Sequence, residues 1–360
     1  MIVDLHCDSV KFLEAGVDLR QPSPLSHVDL PRLEKGRVGV QTFAAFVAPS
    51  VLEAESYPTA VKMLDAIDRF AFSDPERLVS VETAADCRRT MAQGRIGVLR
   101  AVENGRAING SLNNLEAFRK RGVRILTLVH SRHESWVASC TGKGGDPGGL
   151  TPFGKKVVET MNDLGIIVDV SHSAESTFWD VIKTSRRPII ASHSCCYSLC
   201  ASPRNLKDEQ IRALSDIGGV VGVCFFPAFL DDAYRQAMNE RCGDIFEAIS
   251  DMERKRGADR RRLLEDYVRL NHKIADRLSD LTVPLSRIVD HVDHIVQVAG
   301  EDCVAFGSDF DGISTLPEGV SGCDAYPLLL ELLRKRGYTE QTLQKMRAGN
   351  FLRLLEAHDG

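Results

Sequence analysis

Eight short apolar runs, each bounded by turn signals, punctuate this 360-residue chain and constrain its fold more than any other feature. They are IVDLH (2–6), VGVQTFAAFV (38–47), IGVLRAVE (96–103), ILTLVH (125–130), IIVDVSH (166–172), PIIASH (188–193), GVVGVCFF (219–226) and CVAFGSDF (303–310). Most are nearly continuous in Val, Ile, Leu, Ala and Phe, the pattern of strands covered on both faces. Helix-patterned segments lie between them. SLNNLEAFRKRG (111–122) starts at Ser111 and stops at Gly122. TPFGKKVVETMNDLG (151–165) offers Thr151 as N-cap, Pro152 at the first helical position and Gly165 as the stop. This alternation predicts an α/β chain forming one parallel (β/α)8 TIM barrel over residues 1–360. An open doubly wound sheet is the rival, but no G-x-G-x-x-G opens a helix after the first run. Two stretches break the rhythm. Residues 131–150 are glycine-rich and too long for an ordinary connection, which predicts a lid or binding loop. Residues 227–287 are charged and helix-patterned, and read as a helical insertion after the seventh barrel strand.

Polar residues stand at the carboxyl ends of most of these runs. His6 and Asp8 end the first, Glu103 the third, His130 the fourth, His172 the fifth, His193 the sixth and Asp309 the eighth. His6 and Asp8 are two apart, a spacing that turns side chains to one side of a strand. In a barrel all these ends share one mouth, where barrel enzymes place their chemistry. Imidazoles with carboxylates and no thiolate cluster suit Zn²⁺ or a similar borderline divalent ion. A catalytic zinc takes three protein ligands and keeps an open position, so this set is too large for one ion. It fits two ions bridged by a carboxylate with a hydroxide between them, and Glu103 is the natural bridge.

Other candidates read as structural. His27-Val28-Asp29 repeats the H-x-D spacing but ends no apolar run, so a turn or helix cap is expected. His291 and His294 lie at i and i+3 on a helix expected in the outer ring. Cys7 should face away from its neighbours, His272 and His358 are expected in solvent, and His133 falls in the 131–150 loop. Acidic residues number 50 and basic ones 45, a formal charge of -5 with no basic block, which argues against nucleic-acid binding. No signal-peptide pattern and no membrane-length apolar run occur. Ten scattered cysteines then predict reduced thiols in a cytoplasmic protein.

Six motifs, in order, resemble those of the renal (membrane) dipeptidase family of metal-dependent amidohydrolases: DLHCDS, AVENG, LTLVHS, DVSHS, ASHSCCYSLCASPRNL and FGSDFDG. The resemblance runs from the first strand to the eighth and is weakest over 227–287. It implies a dipeptidase with two Zn²⁺ per subunit: His6, Asp8 and Glu103 hold one, and Glu103, His172 and His193 the other. It further implies that His130 binds the substrate carbonyl and its developing oxyanion, and that Arg204 in SPRN, beside Asn205, binds the terminal carboxylate. Asp309 would be the acid/base and Asp311 structural. L,D-dipeptide substrates and a homodimer follow by the same resemblance. Asn104 stands where relatives often have glycine, and Cys195 and Cys196 follow a proposed ligand, leaving a ligand role for them open. Two other readings compete. One is a hydrolase of another amide or ester, such as an N-acyl amino acid or a lactone, which would gain nothing from Arg204. The other is a non-catalytic metal-binding scaffold, which the presence of Asp309 with the full ligand set disfavours.

Overall fold

In a computed structural model that describes residues 1–253 and 259–359, nine parallel strands follow one another along the chain. They are β1 (Ile2–Cys7), β2 (Val38–Phe46), β3 (Leu78–Ser80), β4 (Ile96–Glu103), β5 (Val123–Thr127), β6 (Ile167–Asp169), β7 (Ile190–Ser194), β8 (Val220–Val223) and β9 (Val304–Phe306). The hydrogen-bonded order β2-β1-β9-β8-β7-β6-β5-β4 closes through a β2–β4 pairing, so eight strands form the TIM barrel. Each of the eight apolar runs coincides with one of them, β1 and β7 extending one residue further. The ninth, β3, pairs only with the start of β4, and its three residues are too few to carry a readable pattern.

Four strands stop three or more residues short of the ends of their apolar runs. β5 ends at Thr127, β6 at Asp169, β8 at Val223 and β9 at Phe306, so His130, His172 and Asp309 lie in the turns just beyond. His172 (φ 67°) and Asp309 (φ 61°) adopt left-handed backbone, which no strand can continue.

Alternation sorts the apolar side chains into two layers. Val3, Leu5, Val40, Leu99, Ile125, Ile167, Ile190 and Val220 fill the barrel interior, and Phe351, Leu354 and Leu355 of the last helix pack against them. A larger shell between strands and outer helices holds residues such as Phe43, Phe118, Val168 and Phe306. The interior is narrow where β7, β8 and β9 meet. A Cβ on Gly222 or Gly307 would collide with the Ser192 carbonyl, so glycine is required at both positions.

The helix over Pro152–Leu164 begins with the Thr151 hydroxyl accepting from the Gly154 amide (3.3 Å) and ends at Gly165 with φ 69°. Between β8 and β9 run helices Pro227–Leu230, Asp232–Glu253, Arg260–Arg277 and Ser286–Ala299. Residues 254–258 of the expected insertion lie outside the described residues. Helix Arg260–Arg277 reaches the mouth, where the Tyr267 hydroxyl donates to the Asp311 carbonyl (3.3 Å) and Lys11 Nζ lies 4.0 Å from the Tyr267 ring centroid. The 131–150 loop is anchored by the buried Trp136 and by an Arg106–Glu134 ion pair (2.8 Å). No helix among the described residues is long and apolar enough to cross a membrane.

His358 departs from its expected solvent position. It is buried, with Nε2 2.8 Å from the Pro188 carbonyl, because the chain end tucks under the barrel. Arg124 on β5 holds that end. Fully buried, it donates to the carbonyls of Gly165 (3.1 Å), His358 (3.0 Å) and Glu82, and to Asp359 Oδ1 (2.9 Å). Arg124→Met strands these acceptors and should cost about 3–5 kcal/mol, read from the urea midpoint. A loss below about 1 kcal/mol would show that the clamp contributes little.

Candidate metal centre

Glu103 ends β4 in register with Phe46 on β2 and Thr127 on β5, which aims its carboxylate into the mouth. It is 2% exposed. Its two oxygens face different partners. Oε2 lies 3.5 Å from His6 Nε2, while Oε1 lies 3.1 Å from His172 Nε2 and 3.6 Å from His193 Nε2. Around His6 Nε2 stand Asp8 Oδ1 at 4.0 Å and Asp309 Oδ1 at 3.9 Å. On the other side the Nε2 atoms of His172 and His193 are 2.9 Å apart. Among the described residues, three trios have ligand atoms mutually within 4.8 Å: His6–Glu103–His193, Glu103–His130–His172 and His6–Asp8–Asp309.

This arrangement fits divalent cations. His6 Nε2 and Asp8 Oδ1 are buried without a hydrogen-bond partner, a costly state for a polar atom unless something else binds it. Ligand atoms about 2.0–2.1 Å from one tetrahedral ion stand about 3.4 Å apart, near the spacings around Glu103. The backbone is distorted in the same place. Four of the six non-glycine residues with positive φ among the described residues, Asn104, His172, Asp309 and Asp311, lie at the mouth, where strain is characteristic of functional sites. Asn104 (φ 80°) satisfies this backbone without glycine. Its Nδ2 donates to the Val47 carbonyl (2.9 Å) and its Oδ1 accepts from the Arg106 amide (3.2 Å), so it also ties down the turn after Glu103.

Charge crowding shifts the metal-free site strongly. Burial pushes the Asp309 carboxyl up to about 7, with Asp8 and Glu103 adding to the effect and His6 opposing it. Burial and then Glu103 bring Asp8 to about 6. Burial would lower His6, but Glu103, Asp8 and Asp309 together hold its proton up to about 10. Glu103 is held well below the carboxylate range, because His6 and His172 outweigh its burial. Burial depresses His172 and His193 well below the ordinary histidine value and His130 to about 4.

His130 is half-buried beside this cluster, 4.2 Å between ring centroids from His172 and 4.5 Å from Phe46. Arg204 is 7% exposed. It donates Nη2 to the His193 carbonyl (3.1 Å), leaves Nε without a partner, and lines a pocket of about 540 Å³ with His172, Cys140, Tyr197 and Lys207. Asn205 is engaged with main chain at both ends of its amide. Nδ2 donates to the carbonyls of Cys200 (2.9 Å) and Phe229 (2.8 Å), and Oδ1 accepts from the Cys195 amide (3.2 Å).

Cys195 and Cys196 are buried with Sγ against the carbonyls of Cys224 (3.3 Å) and His291 (3.5 Å), outside the ligand trios. Asp29 caps helix Leu30–Lys35 by accepting from the Arg32 amide (2.8 Å), and His27 Nδ1 accepts from the Asp311 amide (3.0 Å). Asp311 accepts from the hydroxyls of Ser9 (2.5 Å) and Ser26 (2.6 Å). His291 bridges the Cys196 amide (3.1 Å) and the Leu230 carbonyl (3.1 Å), and His294 pairs with Asp208 (2.8 Å). Asp169, overlooked in the sequence, lies fully buried next to the ligand layer. A carboxylate inside the apolar run 166–172 was the available signal.

A cation entering this site must displace the His6 proton. Because that proton is held up to about 10, it is present throughout pH 6–8 and leaves on loading. Zinc affinity of the chelated protein should therefore rise by at least about tenfold per pH unit from 6 to 8, most steeply near pH 6 where Asp8 also gives up a proton. Titration calorimetry in buffers of different ionisation enthalpy reads the release directly. A pH-independent affinity with no proton release would contradict the charge assignment.

A family model described as membrane dipeptidase (peptidase family M19) matches residues 1–359. Among solved structures, a dipeptidase described as a metallo peptidase of family M19 shares 26% identity at TM-score 0.80, over 99% of this chain and 98% of that one. A metallo peptidase from Rhodobacter sphaeroides, liganded with a phosphinate mimic of L-Ala-D-Ala, shares 25% at TM-score 0.80 over 99% of each. The probable dipeptidase PvdM from Pseudomonas aeruginosa has the same fold, at 24% identity and TM-score 0.84 over 99% of this chain and 95% of that one. This chain belongs to the membrane dipeptidase family, peptidase family M19.

Proposed function

We propose that this chain is a zinc-dependent dipeptidase that uses two ions per subunit and accepts L,D-dipeptides. The observation that carries the reading is Glu103, whose two oxygens face separate ligand sets, His6 with Asp8 on one side and His172 with His193 on the other. Bound there, a pair of cations would lower the pKa of a water between them from 15.7 toward roughly 7 and polarise the scissile carbonyl.

The remaining steps belong to side chains. Asp309, whose Oδ1 lies 3.9 Å from His6 Nε2, accepts the proton of the attacking water and delivers it to the leaving amine. His130 is neutral at working pH because burial depresses it to about 4. With Ser131 Oγ at Nδ1 (3.2 Å), its Nε2–H is free to donate to the carbonyl oxygen as negative charge develops there. Arg204 offers its unpartnered Nε to the substrate carboxylate, as suits a planar guanidinium, and Asn205 holds the Arg204 loop. The stereochemical preference rests on the L-Ala-D-Ala mimic in the Rhodobacter sphaeroides relative. The helical segment 227–287 is read as an insertion that walls the mouth through Tyr267. Ten free cysteines favour a reducing compartment, the cytoplasm.

Chelation should abolish hydrolysis of L-Ala-D-Ala, and zinc should restore it with two ions per chain by metal analysis. Full activity at one ion, or no dipeptide hydrolysis at two, would overturn the proposal. His130→Ala should lose on the order of 10²–10³ in kcat with metal content intact; loss of metal would make it a ligand instead. Arg204→Met should reduce kcat/KM for dipeptides by roughly 10–100-fold while sparing a lactone or ester without a carboxylate. Unchanged dipeptide hydrolysis would favour the reading as another amide or ester hydrolase.

A further inference from the structure

Asp169, the last residue of β6, receives four donors. Oδ1 accepts from the amides of Ser171 (3.0 Å) and Ser192 (2.9 Å). Oδ2 accepts from the hydroxyls of Thr127 (2.5 Å) and Ser192 (2.6 Å). Two main-chain amides, which can only donate, hold Oδ1, and two hydroxyls donate to Oδ2, so both oxygens of the carboxyl are engaged as acceptors. The Ser192 oxygen is also 2.7 Å from His193 Nδ1. A serine hydroxyl has one proton, and here the carboxylate takes it, so toward Nδ1 the oxygen can only accept. The imidazole proton therefore sits on Nδ1. Nε2 is left with a bare lone pair, aimed at Glu103 Oε1 (3.6 Å) and His172 Nε2 (2.9 Å).

The backbone leaves this chain of contacts little freedom. The Ser192 carbonyl is wedged between Gly222 and Gly307, and the His193 amide donates to Ser171 Oγ (3.1 Å). We infer that Asp169 and Ser192 form a positioning pair that fixes His193 in its Nδ1–H tautomer and so readies Nε2 for a divalent cation. This rests on the reading of His193 as a ligand. Without the pair, a neutral imidazole divides between two tautomers, only one of which can bind through Nε2.

The test is ring-¹⁵N NMR of the chelated full-length protein with labelled histidine, the His193 signals being assigned by their loss in His193→Gln. The expected wild-type pattern is a protonated Nδ1 and a bare Nε2. Ser192→Ala should move the proton partly or wholly to Nε2 and weaken zinc binding by roughly 10–100-fold in competition titration. Ser192→Thr should restore both. Asp169→Asn is the second variant: its amide nitrogen donates to Ser192 Oγ, which turns the hydroxyl proton toward Nδ1 and gives the Nε2–H form. An Nδ1–H tautomer that survives both Ser192→Ala and Asp169→Asn, or a switched tautomer with unchanged zinc affinity, would overturn the inference. His193→Ala separates the two ideas. If it leaves zinc stoichiometry and affinity intact, the ligand reading fails. If it removes an ion while Ser192→Ala leaves the tautomer in place, only the positioning pair fails.

Discussion

The mouth of this barrel is organised around one buried carboxylate set between imidazoles. Glu103 is almost inaccessible to water and is faced by His6, His172 and His193, with Asp8 and Asp309 close behind. So many ionisable groups in one dry place are unfavourable unless each negative charge meets a positive one and each lone pair meets an acid. In the metal-free chain the His6 proton supplies part of that balance, held by three carboxylates against burial. Divalent cations would supply it more completely, because two buried atoms, His6 Nε2 and Asp8 Oδ1, make no hydrogen bond.

The barrel carries this arrangement at the edge of its regular structure. β4 and β7 deliver Glu103 and His193 as strand residues, so their positions follow from sheet register. His172 and Asp309 come from turns in left-handed backbone, where a residue of ordinary conformation would send the chain elsewhere. Asn104 shows how such strain is met. It adopts positive φ without being glycine, and its amide stitches the Glu103 turn to the end of β2.

Around the centre, loops from different parts of the chain divide the work of shaping a pocket. Arg204 and Asn205 follow β7, with Asn205 holding three backbone groups and Arg204 left with an unpartnered nitrogen. The 131–150 loop closes a second side, pinned by Trp136 and the Arg106–Glu134 pair. The helices between β8 and β9 reach a third through Tyr267. A small substrate would thus meet the candidate metal-binding residues from strand ends and the turns beyond them, and its selectivity from loops, the usual division in barrel enzymes.

Much of this was legible in the chain itself. Strand runs covered on both faces are apolar without interruption, and helix starts such as Thr151-Pro152 are local signals, so eight barrel strands and their order could be read directly. The polar residues closing six of the eight runs were equally visible, since composition changes there within one or two positions. Local patterns carry no information about closure, however. That β3 joins the sheet, that His358 is buried under the barrel, and that Asn205 holds main chain all depend on partners far away in sequence. The same is true of the hydrogen bonds that bind Asp169, Ser192 and His193 into one network. Period and capping are set by neighbours along the chain, and the sequence by itself determined them. Distance, burial and the position of a proton are set by neighbours in space, and only the closed barrel decided those.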